Sequence, residues 1–264
     1  MHLLKGNAMS SNPPIQSLNR AIDIIEFLYH CGHEASISEI SEGTDLFGST
    51  VYRMLSTLRA RGYVYQNEKN AKYGLGLRLY TIGKSVKENI PLVNVFQNMA
   101  VKIAEKYQET VYVAIPSYQS PAIPQHVIAL KVCRSEYVPR NAIEEGAIVL
   151  SHTSALGKCL MAYSGETVLQ EYRKHPLVKL KPNTLTDWEA LDGEFNTIQN
   201  NGYAIELEQE SDGQTCIAVP ALDHNRQILA SIGLAGPMKN IFQYTINSIV
   251  EDLYHIVGQA KELI

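Results

Sequence analysis

The chain has 264 residues, 45% of them hydrophobic, and a formal net charge of -4; this is enough apolar content for two modest cores, and it excludes a disordered chain. No stretch reaches the roughly 20 consecutive apolar residues of a membrane span, and residues 1–12 lack the apolar run of a secretory signal, so a cytoplasmic protein with no membrane partner is expected. Cys31, Cys133, Cys159 and Cys216 are far apart and form no paired-ligand spacing, which points to buried thiols rather than a disulfide framework or a metal site and leaves no cofactor expected.

Over residues 17–29, Leu18, Ala21, Ile22, Ile25 and Leu28 recur at three- and four-residue steps, predicting an amphipathic helix that buries that face. After a turn at Gly32, Ser36 and Glu39 have the spacing of a capping box, and Ile37 and Ile40 face inward from a short second helix ending near residues 44–47. Ser49 is placed to cap a third helix with the core stripe Val51, Met54, Leu55 and Leu58, stopped by Gly62. At about 100° per residue, Ser49, Tyr52, Arg53, Ser56 and Ala60 fall opposite that stripe. Such a face suits a DNA major groove, with hydroxyls for phosphates and Arg53 for a guanine or a phosphate. It would serve equally as the solvated side of a small bundle.

The segment after the third helix favours DNA. Residues 63–65 and 72–75 read as strands around a polar turn at 67–71, the arrangement of a wing. The candidate DNA-binding set is therefore Ser49, Thr50, Tyr52, Arg53 and Ser56 on the helix, with Lys69, Asn70 and Lys72 on the wing supplying salt-dependent backbone contacts. Either lysine taken singly reads as ordinary surface. Residues 1–77 hold seven Lys/Arg against seven Asp/Glu, yet five of those basic residues lie between 53 and 72, where a reading element would sit.

Three segments, QSLNRAIDIIEFL (16–28), STVYRMLSTLRARGYV (49–64) and YGLGLRLYTIG (73–83), in this order and spacing resemble the IclR-type bacterial transcription regulators. The resemblance runs over nearly the whole chain from about residue 15. It departs in the turn before the third helix, where the family usually has a Gly-Leu-Pro-like segment and this chain has Asp45, Leu46, Phe47 and Gly48. The resemblance implies a winged helix-turn-helix domain at 15–77, a linker helix at 78–90, and an effector-binding and oligomerisation domain of GAF or profilin-like α/β architecture at 91–264. It further implies double-stranded operator DNA as partner, a homodimer, and a homotetramer built from it.

In the linker, Leu75, Leu79, Ile82 and Val86 step by four, three and four, a seam that a second copy or either domain of the same chain would cover. Pro91 interrupts it, and Leu92, Val95, Phe96, Met99, Ile103 and Tyr107 begin a new amphipathic helix, which places the boundary near residues 89–91. Strands at 111–115 and 127–132 flank a proline-containing loop at 116–124, and helix resumes near Ser154. Thr186 and Glu189 box the start of a helix over 188–200 that closes at Gly202. Further strands lie at 203–207, 216–219 and 228–234, with a turn at 223–226. A last helix carries Ile246, Ile249, Val250, Leu253, Ile256 and Val257 on one face, completing an α+β domain around a largely antiparallel sheet.

Residues 149–158, 202–206 with 213–216, and 232–237 resemble the family's effector-pocket lining. On that basis Val149, Ala155, Leu156, Glu206, Cys216, Gly233 and Ala235 are the candidate effector site. Small residues at 153–157 open a helix whose amides near Ala155 and Leu156 would receive a carboxylate, whereas a glycine there equally serves close helix-sheet packing. Glu206 matches an acidic position that bonds an effector hydroxyl or hydrated carbonyl, and Cys216 a pocket-wall cysteine; a solvent-facing glutamate and a core thiol are the plain alternatives. Gly233 and Ala235 stand where some family members carry serines that bond the effector's carboxylate. Their absence points to an acid bulkier or more apolar than a two- or three-carbon keto acid, such as an aromatic or sugar-derived one.

His152, Glu206 and Cys216 share this domain and would suit acyl or proton transfer in an enzyme. No nucleophile elbow, phosphate loop or HExxH motif accompanies them, and the helix-turn-helix would be left unexplained, so no catalytic residue is assigned. A dimerisation module without DNA binding is the other alternative. Either repression or activation is compatible with this reading.

Overall fold

The computed structural model describes residues 15–117, 125–132 and 143–261. These fall into two units, one ending at Asn89 and one beginning at Ile90, each with its own apolar core. Residues 1–14, Cys133 and most of the proline-containing loop lie outside the described residues.

The first unit runs α1 (Gln16–Cys31), α2 (Ile37–Thr44), α3 (Gly48–Ala60), β1 (Val64–Gln66), β2 (Tyr73–Leu75) and α4 (Leu77–Glu88). Its core is Ile24, Leu28, Ile40, Val51 and Leu55, closed by Val64 and Tyr73 from an antiparallel hairpin. The Ser36–Glu39 capping box forms, each side chain bonding the other residue's backbone N–H. Gly32 and Gly62 take the left-handed conformation, φ 68° and 76°, that lets the chain leave α1 and α3 sharply.

Two expectations are corrected in this unit. The buried line of α1 passes through Ile24 and Leu28, with Phe27 and Cys31 packed beside it, while Leu18 and Ile22 are 57% and 42% exposed. The apolar arc of α1 is wider than α2 and α3 can cover, so periodicity alone could not choose the side that meets them. Nor does Ser49 cap α3: the helix begins at Gly48, its N-cap is Phe47, and no side chain bonds its first amides.

The second unit is an antiparallel six-stranded sheet in the order β5-β4-β3-β8-β7-β6. Its strands are β3 (Thr110–Pro116), β4 (Gln125–Val132), β5 (Ile148–Leu150), β6 (Ala204–Leu207), β7 (Gln214–Leu222) and β8 (Ile228–Pro237). The central strands are apolar on both sides and divide their residues between two cores. Val111, Val113, Ile217 and Val219 pack with α5 (Pro91–Tyr107) and α10 (Ile246–Lys261). Tyr112, Ala114, Cys216 and Ala218 pack with α6 (Ala155–Ala162), α7 (Glu166–Arg173) and α8 (Trp188–Asn201). A single turn, α9 (Met238–Ile241), comes directly after β8. The expected Thr186 box is also corrected: Asp187 is the N-cap of α8 and accepts from the Ala190 amide at 2.9 Å. Among the described residues, no helix is long and apolar enough to cross a membrane.

Candidate functional sites

On α3, Val51 and Leu55 anchor the helix to the core and turn the opposite side to solvent. Ser49, Tyr52, Arg53 and Ser56 are exposed there and Thr50 is half-buried. Arg53 and Thr50 line a groove of about 430 Å³ together with Ser17 and Arg20 of α1. Arg20 thus joins the cationic side of this face, although it is a helix away in sequence. Phe47, in the turn where the chain departs from the family pattern, is 86% exposed at the head of the helix.

The wing is fastened to the unit by a residue with no local signature. Glu34 accepts hydrogen bonds from Tyr65 Oη at 2.8 Å and from the side-chain amides of Asn67 and Asn70 at 2.9 Å. These donors, Asn70 first, hold the Glu34 carboxyl below its ordinary value. Ala35 and Tyr73 exchange both backbone hydrogen bonds. Lys72 pairs with Glu39 at 3.2 Å, and the Ser36 backbone amide, the Ser36 hydroxyl and then Lys72 bring the Glu39 carboxyl down to about 2. Of the three candidate wing residues, Asn70 and Lys72 are therefore engaged within the unit, and Lys69 is exposed at the tip.

The helix α4 has no buried residue. Of the predicted seam, Ile82 and Val86 are 40% and 59% exposed, while Leu75 and Leu79 are half-buried and Leu75 packs against the core of this unit. Leu77 and Tyr80, outside the predicted seam, are 83% and 69% exposed, so apolar surface on α4 is left open within this unit.

In the second unit, register brings most of the candidate effector residues onto one face. Glu206 pairs with Cys216, and Cys216 with Ala235, in a row across β6, β7 and β8. Gly233 lies two residues from Ala235 on the same side; a Cβ there would stand 3.1 Å from Cys216 Sγ and 3.0 Å from the Ile217 carbonyl. A serine at this position would need those neighbours to give by a few tenths of an ångström. Val149, Ala155, Leu156, Cys216 and Ala235 belong to one apolar cluster. The start of α6 is held over the sheet by Ser231 Oγ, which donates to the Leu156 carbonyl at 2.9 Å.

At that helix start, Ser154 Oγ accepts from the Gly157 amide at 3.1 Å, leaving the amides of Ala155 and Leu156 as first-turn donors without an intrahelical acceptor. Gly157 itself serves packing: a Cβ would meet the Ser151 carbonyl oxygen at 2.3 Å. Lys158 is fully buried but committed, pairing with Glu194 and donating to the Ile205 carbonyl at 3.2 Å and Gln209 Oε1 at 3.0 Å. Two carboxyl groups also belong to this region. Glu206, 4% exposed, accepts from the amides of Gln209 and Glu210, and burial still raises its carboxyl above the ordinary value. Glu210, beside it, is pushed up to about 8 by burial and by the charge of Glu206.

Neither His152 nor Cys216 is placed for the enzymatic alternative. Both ring nitrogens of His152 are taken, by Tyr172 Oη and by the Val178 carbonyl at 2.9 Å, and neither meets a cysteine. Burial first, then Glu206 and Glu210, push the Cys216 thiol well above its ordinary value, so it is a protonated wall residue rather than a nucleophile.

The chain is similar to known proteins in both units. Residues 17–68 match the IclR helix-turn-helix domain and residues 84–260 the bacterial transcriptional regulator IclR C-terminal domain. The chain is 28% identical over 232 residues to the HTH-type transcriptional regulator XynR of Escherichia coli K12, covering 84% of this chain and 86% of XynR. The crystal structure of the Thermotoga maritima IclR is similar with a TM-score of 0.71 at 26% identity, covering 93% of this chain and 97% of that one. An IclR homolog from Microbacterium hydrocarbonoxydans, crystallised with 4-hydroxybenzoate, has a TM-score of 0.79 at 21% identity, covering 94% of this chain and 98% of its own.

Proposed function

The chain belongs to the IclR family of bacterial transcriptional regulators, and from that premise we propose that an acid bound in the second unit changes the affinity of the first for operator DNA. The protein is a DNA-binding regulator with an effector-binding C-terminal domain, not an enzyme. On our reading Ser49, Thr50, Tyr52, Arg53 and Ser56 face the major groove, with Lys69, Asn70 and Lys72 beside it. Residues 15–77 grip DNA, 78–90 link, and 91–264 sense and assemble. The protein works in the cytoplasm as at least a homodimer, for which α4 supplies open apolar surface.

One observation carries the effector reading: two first-turn amides, at Ala155 and Leu156, open a helix packed in the same apolar cluster as Cys216, whose strand partner is the buried Glu206, and the buried Lys158 of that helix is already paired with Glu194. A carboxylate would therefore be received by the amides, an apolar body by Val149, Leu156 and Ala235, and a hydroxyl by Glu206. An aromatic hydroxy acid has these three parts, as does the 4-hydroxybenzoate of the Microbacterium homolog. The test is a thermal-shift screen of the full chain with small carboxylates, 4-hydroxybenzoate among them, and then operator titration with each stabilising acid. A coupled acid should change operator affinity by about 5- to 150-fold. Leu156→Trp should abolish that change while operator binding persists. A Trp variant that responds like the wild type would place the pocket elsewhere.

A further inference from the structure

A groove of about 1170 Å³ in the first unit lies between the end of α3, the wing and the start of α4. It is lined by Arg59, Arg61 and Arg78, with Glu68 the one carboxylate among its lining residues. All three arginines are exposed, and none forms an ion pair with a described residue. Their positions are set by backbone. The Gly76 amide donates to the Tyr63 carbonyl at 2.8 Å and the Arg78 amide to the Gly62 carbonyl at 3.3 Å. Gly76 must be glycine for this approach, since a Cβ there would meet the Gly62 carbonyl oxygen at 2.1 Å. Arg59 reaches across the groove and donates to Gln66 Oε1 at 2.5 Å, which leaves most of its five donors for another acceptor. The start of α4 also lines the groove, with no side chain capping its amides, and adds the positive end of a helix dipole.

We propose that Arg59, Arg61 and Arg78 form a cradle for backbone phosphates of the operator, so that the linker helix itself holds DNA. This rests on the reading face assigned to α3. The groove is open rather than enclosed and begins at the end of α3. It continues along the wing, where a strand leaving the reading face would run. A free phosphate would occupy only a small part of it. Guanidinium groups suit phosphate oxygens because their fork donates two parallel bonds. With Arg78 on α4, any rearrangement of the linker acts on DNA binding directly.

The experiment compares the full-length wild type with R59Q/R61Q/R78Q on a duplex selected by the wild type from a random library, measuring affinity across salt concentrations. The slope of log K against log salt should fall by about 0.9 for each phosphate that is no longer neutralised, with circular dichroism unchanged, and R59K/R61K/R78K should recover most of it. If the triple variant does not fold, Arg78→Gln alone should lower the slope by about 0.9. Methylphosphonate linkages flanking the half-site should weaken the wild type more than the Gln variant. A wild-type slope retained in the folded Gln variants overturns the cradle, and so does a variant that loses only thermal stabilisation by inorganic phosphate. A wild type with no salt-dependent retention of any duplex would instead defeat the DNA-binding assignment beneath it.

Discussion

The two units place their candidate functional residues differently, outside the core in the first and within it in the second. In the first, Tyr52 is 58% exposed and its neighbour Val51 is fully buried, so the candidate partner-facing residues and the residues that hold the fold lie on different faces of one helix. In the second, Leu156, Glu206 and Cys216 are 2%, 4% and 7% exposed, and the candidate site is part of the core. A surface that recognises a polyanion can be finished before the partner arrives, because its cations remain solvated. A site for a small acid must desolvate the ligand, and this one carries buried polar groups whose ionisation costs the fold.

The largest effect that sharpens this contrast is expected inside the first core. Ile40→Ala, at a fully buried position, should lower stability by about 2 to 5 kcal/mol, read as a shift in denaturant midpoint. Ser56→Ala on the outer face of α3 should leave that midpoint within about 0.5 kcal/mol. If the two variants shift it equally, the outer face is structural.

A smaller effect comes from the cap of α2. Ser36→Ala removes the hydroxyl that bonds the Glu39 amide and should cost about 0.5 to 2 kcal/mol. An unchanged midpoint would show that the cap contributes nothing in this context.

The pH response should distinguish the units by sign. The Glu39 carboxyl falls from 4.5 to about 2 on folding, so its contribution is complete above about pH 4.5 and is lost as the pH drops toward 2. Glu210 rises from 4.5 to about 8. Its charge therefore opposes folding fully above pH 8, and that opposition disappears as the pH falls from 8 to 4.5. Corrected for intrinsic exchange rates, amide protection in the second unit should increase over that interval, and Glu210→Gln should flatten the increase. An undiminished pH slope in the Gln variant would remove Glu210 as its source.

Legibility in the sequence differs between the units for the same physical reason. Periodicity and turn residues locate α2, α3, the wing, β7, β8 and α10, because each has either a one-sided pattern or a glycine or polar turn at its end. They could not choose the buried side of α1, whose apolar arc exceeds what two helices cover. They could not reveal Glu34, whose partners lie 31 to 36 residues away, or Arg78 beside Gly62, which depends on a backbone crossing. In the second unit the candidate residues came from family resemblance. Strand register then supplied what local text lacks, placing Glu206, Cys216 and Ala235 in one row. The three-residue β5 and the short α7 are below the length at which periodicity is informative.

If the exposed side of α3 reads DNA independently of the fold that supports it, one side chain on that face can be removed at the cost of affinity alone. The most direct test is operator titration of wild type and Arg53→Ala at one salt concentration, using a duplex selected by the wild type from a random library. The expected result is a loss of about 1 to 3 kcal/mol in specific affinity with an unchanged melting curve; a folded Arg53→Ala variant that binds the duplex as tightly as the wild type would contradict it.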